Sequence, residues 1–375
     1  MGAPMDPLVR RATREKIDRL LGIVESLSLR GVILASDSMN RWLLGKGLSS
    51  ISIVRRDGVR IYVPVLEYTR ARDHLERLEG VEVIAYQRYP LEPPEDFPVI
   101  AGGVDEILMR EFGSREPLGC DLSASSKRVI DMLMGRCIDI TEDIFRIRAV
   151  KTEAEVEAIE RAASIASEAF EEALKSIGEN TAEREAAGIL DHVMRIKGAD
   201  GYAFPTIVAS GPNASYPHAE PGDRRIQRGD LVVIDMGSIW RGYASDMTRM
   251  LAVGNPGSQG IAILEAVEEA LNRSLERVAP GVRASEIDEV ARKTLSERGL
   301  GRYYIHATGH GVGVEVHEPP LLSSSSRDVL EKGSVITIEP GIYIPGKIGA
   351  RLEELVLVTG SGYRVLTRAR RIITI

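Results

Sequence analysis

At 375 residues the chain is long enough for two domains, each with its own core. A hydrophobic content of 43%, 27% charged residues and a net charge of −7 describe a globular protein with no basic surface for nucleic acid or an anionic membrane. No apolar run reaches the roughly 18 residues of a membrane span, and the opening MGAPMDPLVRRATREK carries no apolar leader core, so a cytoplasmic protein is expected.

Taken in chain order, TREKIDRLLGIVESLSLRG predicts a helix with Ile17, Leu20, Leu21, Val24 and Leu27 on one face and Gly31 as its stop. GVILAS reads as a buried strand. SISIVRRDGVRIYVPV reads as a hairpin, with Asp57 and Gly58 supplying the positive φ angles of a tight turn. A helix over 66–78, the strand VEVIAY and a Pro-rich loop from Pro90 to Pro98 follow. These elements make a small α/β domain over residues 1–130, with no evident chemistry. Its His74 is expected on a helix surface, and Cys120 and Cys137 as separate reduced thiols, too few for a disulfide framework or a zinc site. Charged runs such as RRATREKIDR and RLEELV are expected to form solvated faces and ion pairs.

Residues 131–150 are expected to link this domain to a second one over 151–375. The second opens with an amphipathic helix, KTEAEVEAIERAASIASEAFEEALKSIG, whose Thr152 and Glu155 have the spacing of a capping box. A helix from about Thr181 and a hairpin over 231–253 are followed by a helix from about Ser285 and a hairpin over 335–358. The repeated order predicts two similar αβ halves packed face to face, an α+β architecture. His192, inside the first of these helices, is expected to be structural.

Asp235 and Asp246 flank the turn at Trp240–Gly242, and Glu339 and Glu353 flank Gly346, so each pair is predicted to face across its hairpin. Asp235 follows the apolar LVVI and Glu339 sits in VITIEP. In such core-strand surroundings a carboxylate must be paired or must bind a cation. Four carboxylates and an imidazole suit two divalent ions, and a water between two such ions becomes a nucleophile near neutral pH.

The stretch HATGHGVGVEVHE (306–318) holds three of the chain's six histidines. Its i, i+4 pair resembles the zinc-protease HExxH helix, but Ala307 replaces the catalytic Glu and alternating glycines disfavour a helix. An extended chain in close backbone contact is predicted instead.

The blocks FPTIVASGPNASYPH, DMGSIWRGYASDMTR, HATGHGVGVEVHE, EPGIYIPG and RLEELVLVT, in this order, resemble the pita-bread metallopeptidases, the family of prolidase, aminopeptidase P and methionine aminopeptidase. The resemblance covers residues from about 150 to the end, and the first domain resembles the one that prolidases and creatinase share. It implies Asp235, Asp246, His310, Glu339 and Glu353 as ligands of two divalent ions (Mn, Co, Fe or Zn), with a metal-bridging hydroxide as nucleophile. Glu339 would double as general base. His218 and His317 would stabilise charge at the scissile bond, His306 would stand behind them or serve the fold, and Arg351 and Tyr243 would brace the carboxylates, Arg351 alternatively being a strand-surface ion-pair partner. The implied activity is hydrolysis of an Xaa-Pro bond by a dipeptidase, with an aminopeptidase acting on longer peptides as the alternative, in a homodimer. One departure is Leu321, where many microbial prolidases carry an Arg for the dipeptide's carboxylate. A metal-free enzyme of the creatinase kind, or a peptide-binding pseudo-enzyme, would have lost ligands that are all present here.

Overall fold

The computed structural model describes residues 5–89, 97–111, 117–123 and 127–375; the expected Pro-rich loop lies largely outside them. The chain divides into two compact units, Met1–Arg148 and Ala149–Ile375.

In the first unit, α1 (Pro7–Ser26) is capped by the Asp6 side chain, which accepts from the Leu8 amide. The sheet is built from β1 (Gly31–Leu34), β2 (Ile51–Arg55), β3 (Gly58–Pro64), β4 (Val81–Gln87), β5 (Val99–Ala101), β6 (Leu118–Cys120) and β7 (Ile138–Asp139). Their order is β5-β4-β3-β2-β1-β6-β7, with β1 antiparallel to β2 and parallel to β6. Helices α2 (Asp37–Leu44), α3 (Tyr68–Leu75), α4 (Val104–Glu111), α5 (Lys127–Leu133) and α6 (Thr141–Ala149) complete the unit. Strand β7 and helix α6 therefore occupy the stretch expected as linker, held by the fully buried Ile140 and Ile144.

Several expectations are corrected here. In the β2–β3 hairpin Arg55 pairs with Gly58, so Arg56 and Asp57 make the turn and only Gly58 takes a positive φ, +144°. The buried face of α1 carries Ala12, Lys16, Leu20, Ile23 and Val24, and Leu27 is exposed. Lys16 is buried because its ammonium donates to the Trp42 carbonyl and lies 5.7 Å from the centre of the Trp42 ring. His74 is buried, with Nε2 3.0 Å from the Leu44 carbonyl. Cys120 and Cys137 form a disulfide, because the parallel pairing of β6 with β7 brings Cys137 beside the end of β6.

The second unit begins with α7 (Glu153–Ala173), whose expected capping box is formed by Thr152 and Glu155. Then come α8 (Glu183–Ile196), β8 (Gly201–Tyr202), β9 (Ile207–Ser210), β10 (Leu231–Met236), β11 (Ser238–Trp240), β12 (Tyr243–Ala244) and β13 (Met247–Ala252). The order then recurs. Helix α9 (Gly257–Glu276) answers α7 and α10 (Ala284–Glu297) answers α8; β14 (Gly309–Gly311), β15 (Glu318–Leu322), β16 (Val335–Ile338), β17 (Gly341–Ile344), β18 (Ile348–Arg351), β19 (Glu354–Val358), β20 (Tyr363–Val365) and β21 (Ile372–Thr374) follow. Both α8 and α10 have 14 residues, and each is preceded by an isolated antiparallel bridge, Ala182 with Arg225 and Arg283 with Val329.

The halves share one seam. Alternate residues of β10 enter two cores: Val232, Ile234 and Met236 pack with α7 and α8, whereas Leu231 and Val233 pack with α9, α10 and β16. A strand covered on both faces must be apolar throughout, which explains LVVI. By period-two alternation Asp235 shares the face of Leu231 and Val233.

Candidate metal centre

Both hairpins end at one cavity of about 750 Å³. In the first, Asp235 pairs with Thr248 rather than with Asp246, so the two aspartates are diagonal neighbours. The turn lies at Arg241 and Gly242, with φ of 52° and 84°. In the second, the ladder runs from Ile338 opposite Glu354 to Gly341 opposite Arg351, which sets Glu339 opposite Glu353 about Gly346.

Backbone and side chain stitch the hairpins together. The Glu353 amide donates to the Thr248 carbonyl, and the Thr248 hydroxyl donates to Glu353 Oε2 at 2.9 Å. Beneath them the fully buried Arg249 donates to the carbonyls of Thr248, Glu353 and Ala369 and pairs with Glu354 at 3.1 Å. RLEELV is thus a buried strand end, not a solvated face.

The alternating glycines of HATGHGVG meet the close backbone approach expected of them. A methyl group at Gly309 would strike the Thr337 carbonyl, and one at Gly311 the Pro319 carbonyl. His310 in β14 thereby brings Nε2 to 3.3 Å from Glu339 Oε1 and 3.7 Å from Asp246 Oδ2. Ligand atoms of Asp246, His310 and Glu353 all lie within 4.8 Å of one another.

This crowding of carboxylates shapes their acidity. Burial, reinforced by the charges of Glu353, Asp235 and Glu339, pushes Asp246 well above the carboxylate range. Burial and the charges of Glu339 and Asp235 do the same to Glu353. Asp235 is also raised by burial, against the pull of Arg351. Burial would raise Glu339 too, but the hydrogen bond and charge of His310, with His306 and Arg351, outweigh it and hold Glu339 at about 2. Two buried carboxylate oxygens of the cluster, Asp235 Oδ1 and Glu353 Oε1, have no hydrogen-bond partner among the described residues. Orphaned carboxylate oxygens beside an imidazole nitrogen are what bound cations would satisfy, and the donor set fits divalent metal ions.

Arg351 joins the cluster from β18. It donates to Asp235 Oδ2 at 2.5 Å, to the Tyr343 hydroxyl at 2.7 Å, to the Thr248 hydroxyl at 3.0 Å and to the Pro217 carbonyl at 3.1 Å. His306 Nε2 lies 3.1 Å from the Tyr343 hydroxyl, and its Nδ1 donates to the Ala307 carbonyl. The bracing tyrosine is therefore Tyr343. Tyr243, expected in that role, does not line the cavity, and its hydroxyl donates to Glu155 of α7 at 3.3 Å. Strand alternation could have flagged Tyr343 and Thr248; only the fold could reveal Arg249.

His218 and His317 stand at the rim, both lining the cavity. The His317 ring centre is 4.2 Å from that of His310, and burial, then the nearby His310 charge, lowers its affinity for a proton. Leu321 and Asp328 line the same wall. Exposed on α8, His192 is no part of it.

Residues 157–360 match metallopeptidase family M24. The chain belongs to this family. Over 361 residues it is 36% identical to the Xaa-Pro dipeptidase of Pyrococcus furiosus, covering 96% of this chain and 99% of that protein. The solved prolidase from Pyrococcus horikoshii superposes with a TM-score of 0.83 at 34% identity, over 95% of this chain and 99% of that one. An X-Pro aminopeptidase from Thermotoga maritima gives 0.84 at 29% identity, over 96% and 99%. This family membership makes the chain a metallopeptidase with a divalent-metal requirement. Among the described residues, no helix is long and apolar enough to cross a membrane.

Proposed function

We propose that the protein hydrolyses the peptide bond between an N-terminal residue and proline, with Xaa-Pro dipeptides among its substrates. The observation that carries this reading is the cluster of Asp235, Asp246, His310, Glu339 and Glu353 in one cavity, in a chain akin to named Xaa-Pro dipeptidases over nearly its whole length. Asp235, Asp246, Glu353, Glu339 and His310 would hold two divalent ions, with Mn, Co, Fe and Zn all compatible with their oxygen and nitrogen donors. When bound, such a pair polarises the carbonyl and lowers the pKa of a water.

The chain's own groups do the rest. Glu339, whose ionised form His310, His306 and Arg351 favour, would take a proton from that water on a carboxylate oxygen and pass it to the leaving proline nitrogen. His218 and His317, at the rim, would hydrogen-bond the carbonyl oxygen as it gains charge. Arg351 favours the ionised form of Asp235 against burial and holds its Oδ2 by a hydrogen bond. Homodimer assembly belongs to the same reading through the family resemblance, and a cytoplasmic location is proposed with it.

A second reading, removal of the residue before proline from longer peptides, is favoured by the lining. Among the described residues its one Lys or Arg is Arg351, already engaged by Asp235, Tyr343, Thr248 and Pro217, while Glu220, Asp328 and Leu321 also face the cavity. Among these residues a free proline carboxylate meets no unengaged guanidinium or ammonium group. The deciding assay gives chelated and Mn- or Co-loaded protein Met-Pro, Met-Pro amide and Met-Pro-Ala. Metal-dependent cleavage of Met-Pro supports the dipeptidase, and preference for the amide and tripeptide supports the second reading. No cleavage of any of them removes the Xaa-Pro assignment.

A further inference from the structure

Outside the metal cluster, the second unit buries another carboxylate completely. Glu183, in the first turn of α8, is 0% exposed. Its Oε1 accepts from the Ser210 amide and the Ser210 hydroxyl, both at 2.7 Å, and its Oε2 accepts from the Gly222 amide at 3.2 Å. The Asn213 amide group reaches both oxygens, at 3.1 and 3.0 Å. Ser210 and Gly222 are the two ends of the loop that carries His218. One carboxylate therefore ties that loop shut at its base.

The helix terminus strengthens the tie. The Glu183 amide donates to the Arg224 carbonyl and the Arg184 amide to the Gly222 carbonyl. The first free amides of α8 are thus spent on the segment that ends the loop, and the carboxylate sits at the positive end of the helix. At its tip the loop is held differently: Arg351 takes the Pro217 carbonyl, and the Ser215 hydroxyl accepts from the Gly346 amide. The tip bonds to Arg351, which holds Asp235, whereas the Glu183 bonds at the base go to Ser210, Asn213 and Gly222.

We infer that Glu183 is a positioning residue that fixes His218 at the cavity rim by closing the base of the 210–222 loop. The inference rests on the Xaa-Pro hydrolase reading, in which His218 meets the substrate. A displacement of about 1 Å at a group touching the reacting carbonyl is enough for a loss of roughly 100-fold. Glu183→Gln keeps the volume but turns an NH₂ group toward amide and hydroxyl donors, so the loop base opens while the metal ligands stay in place.

The test is a double-mutant cycle on the metal-loaded protein, comparing wild type, Glu183→Gln, His218→Ala and the double variant. Glu183→Gln is expected to lower kcat roughly 10- to 100-fold with little change in KM or in metal affinity. Its effect should vanish in the His218→Ala background, because a residue that acts only through another is not additive with it. Hydrogen exchange of the 211–221 amides should speed up in Glu183→Gln and not in His218→Ala. Asn213→Ala, which removes one strut, should show the same pattern at smaller amplitude and serves if Glu183→Gln does not fold. Equal losses in both backgrounds, or a fall in metal affinity, would overturn the inference and make Glu183 a general structural support. A wild type that leaves Xaa-Pro substrates uncut would instead sink the hydrolase reading, and the exchange measurement would still decide whether Glu183 closes the loop.

Discussion

Arg351 shows how much a single side chain carries here. Its guanidinium meets a carboxylate, two hydroxyls and a backbone carbonyl, a planar fork that a lysine ammonium cannot reproduce. Arg351→Met would strand Asp235 beside three other acids, and breaking a buried pair in this way costs about 3–5 kcal/mol. Chemical denaturation should find that loss in metal-free protein and a smaller one after loading, since bound cations replace part of the missing charge. Arg351→Lys should recover little of the stability and little of the activity. An equal loss with and without metal would count against the placement of cations beside Asp235. At this scale the sequence was most legible where chemistry fixes residue type: the four acids and one imidazole of the cluster, and His218 and His317, all line one cavity. It was opaque where a contact spans the hairpins. Thr248 meets Glu353 across 105 positions, and neither strand alone says so.

Among the elements, β14 is the most exacting. Its glycines leave the backbone room to lie against Thr337 and Pro319, and that proximity delivers His310 to Asp246 and Glu339. Gly309→Ala would press a methyl group into the Thr337 carbonyl, a backbone atom that cannot swing aside. The expected result is a loss of about 1–3 kcal/mol in stability and a weaker metal site, read by thermal unfolding and metal titration. Unchanged metal affinity would mean that β14 tolerates a shift without moving His310. The extended, close-packed form of this stretch was readable from the glycines themselves. The burial of Lys16 and His74 was not, because Trp42 and Leu44, their partners, lie on a helix whose packing no local pattern reveals.

Across the whole second unit, the metal cluster sits where the two halves meet, Asp235 and Asp246 from one and His310, Glu339 and Glu353 from the other. Burial and mutual repulsion raise Asp246 and Glu353, so the metal-free fold holds protons that the unfolded chain has already released. Its stability therefore falls as pH rises from the ordinary carboxylate range through those raised values. Bound cations require both groups ionised and displace the protons. The rise in unfolding temperature on loading should be larger near about pH 8 than near about pH 5.5, with protons released to the buffer on binding. Calorimetry in buffers of different ionisation heat measures that release; a pH-independent gain would mean that these two acids are already ionised without metal.

The repeat was legible at this scale from element order. The chain's two sulfurs were not, since only the fold brings Cys120 to Cys137, and their pairing has a practical consequence for counting. With each thiol occupied by the other, the protein offers no soft thiolate to capture zinc or cobalt. Tight metal equivalents bound by the oxidised chain can then be ascribed to oxygen and nitrogen donors, whereas a reducing buffer would unmask two sulfur ligands in the other unit and blur the stoichiometry.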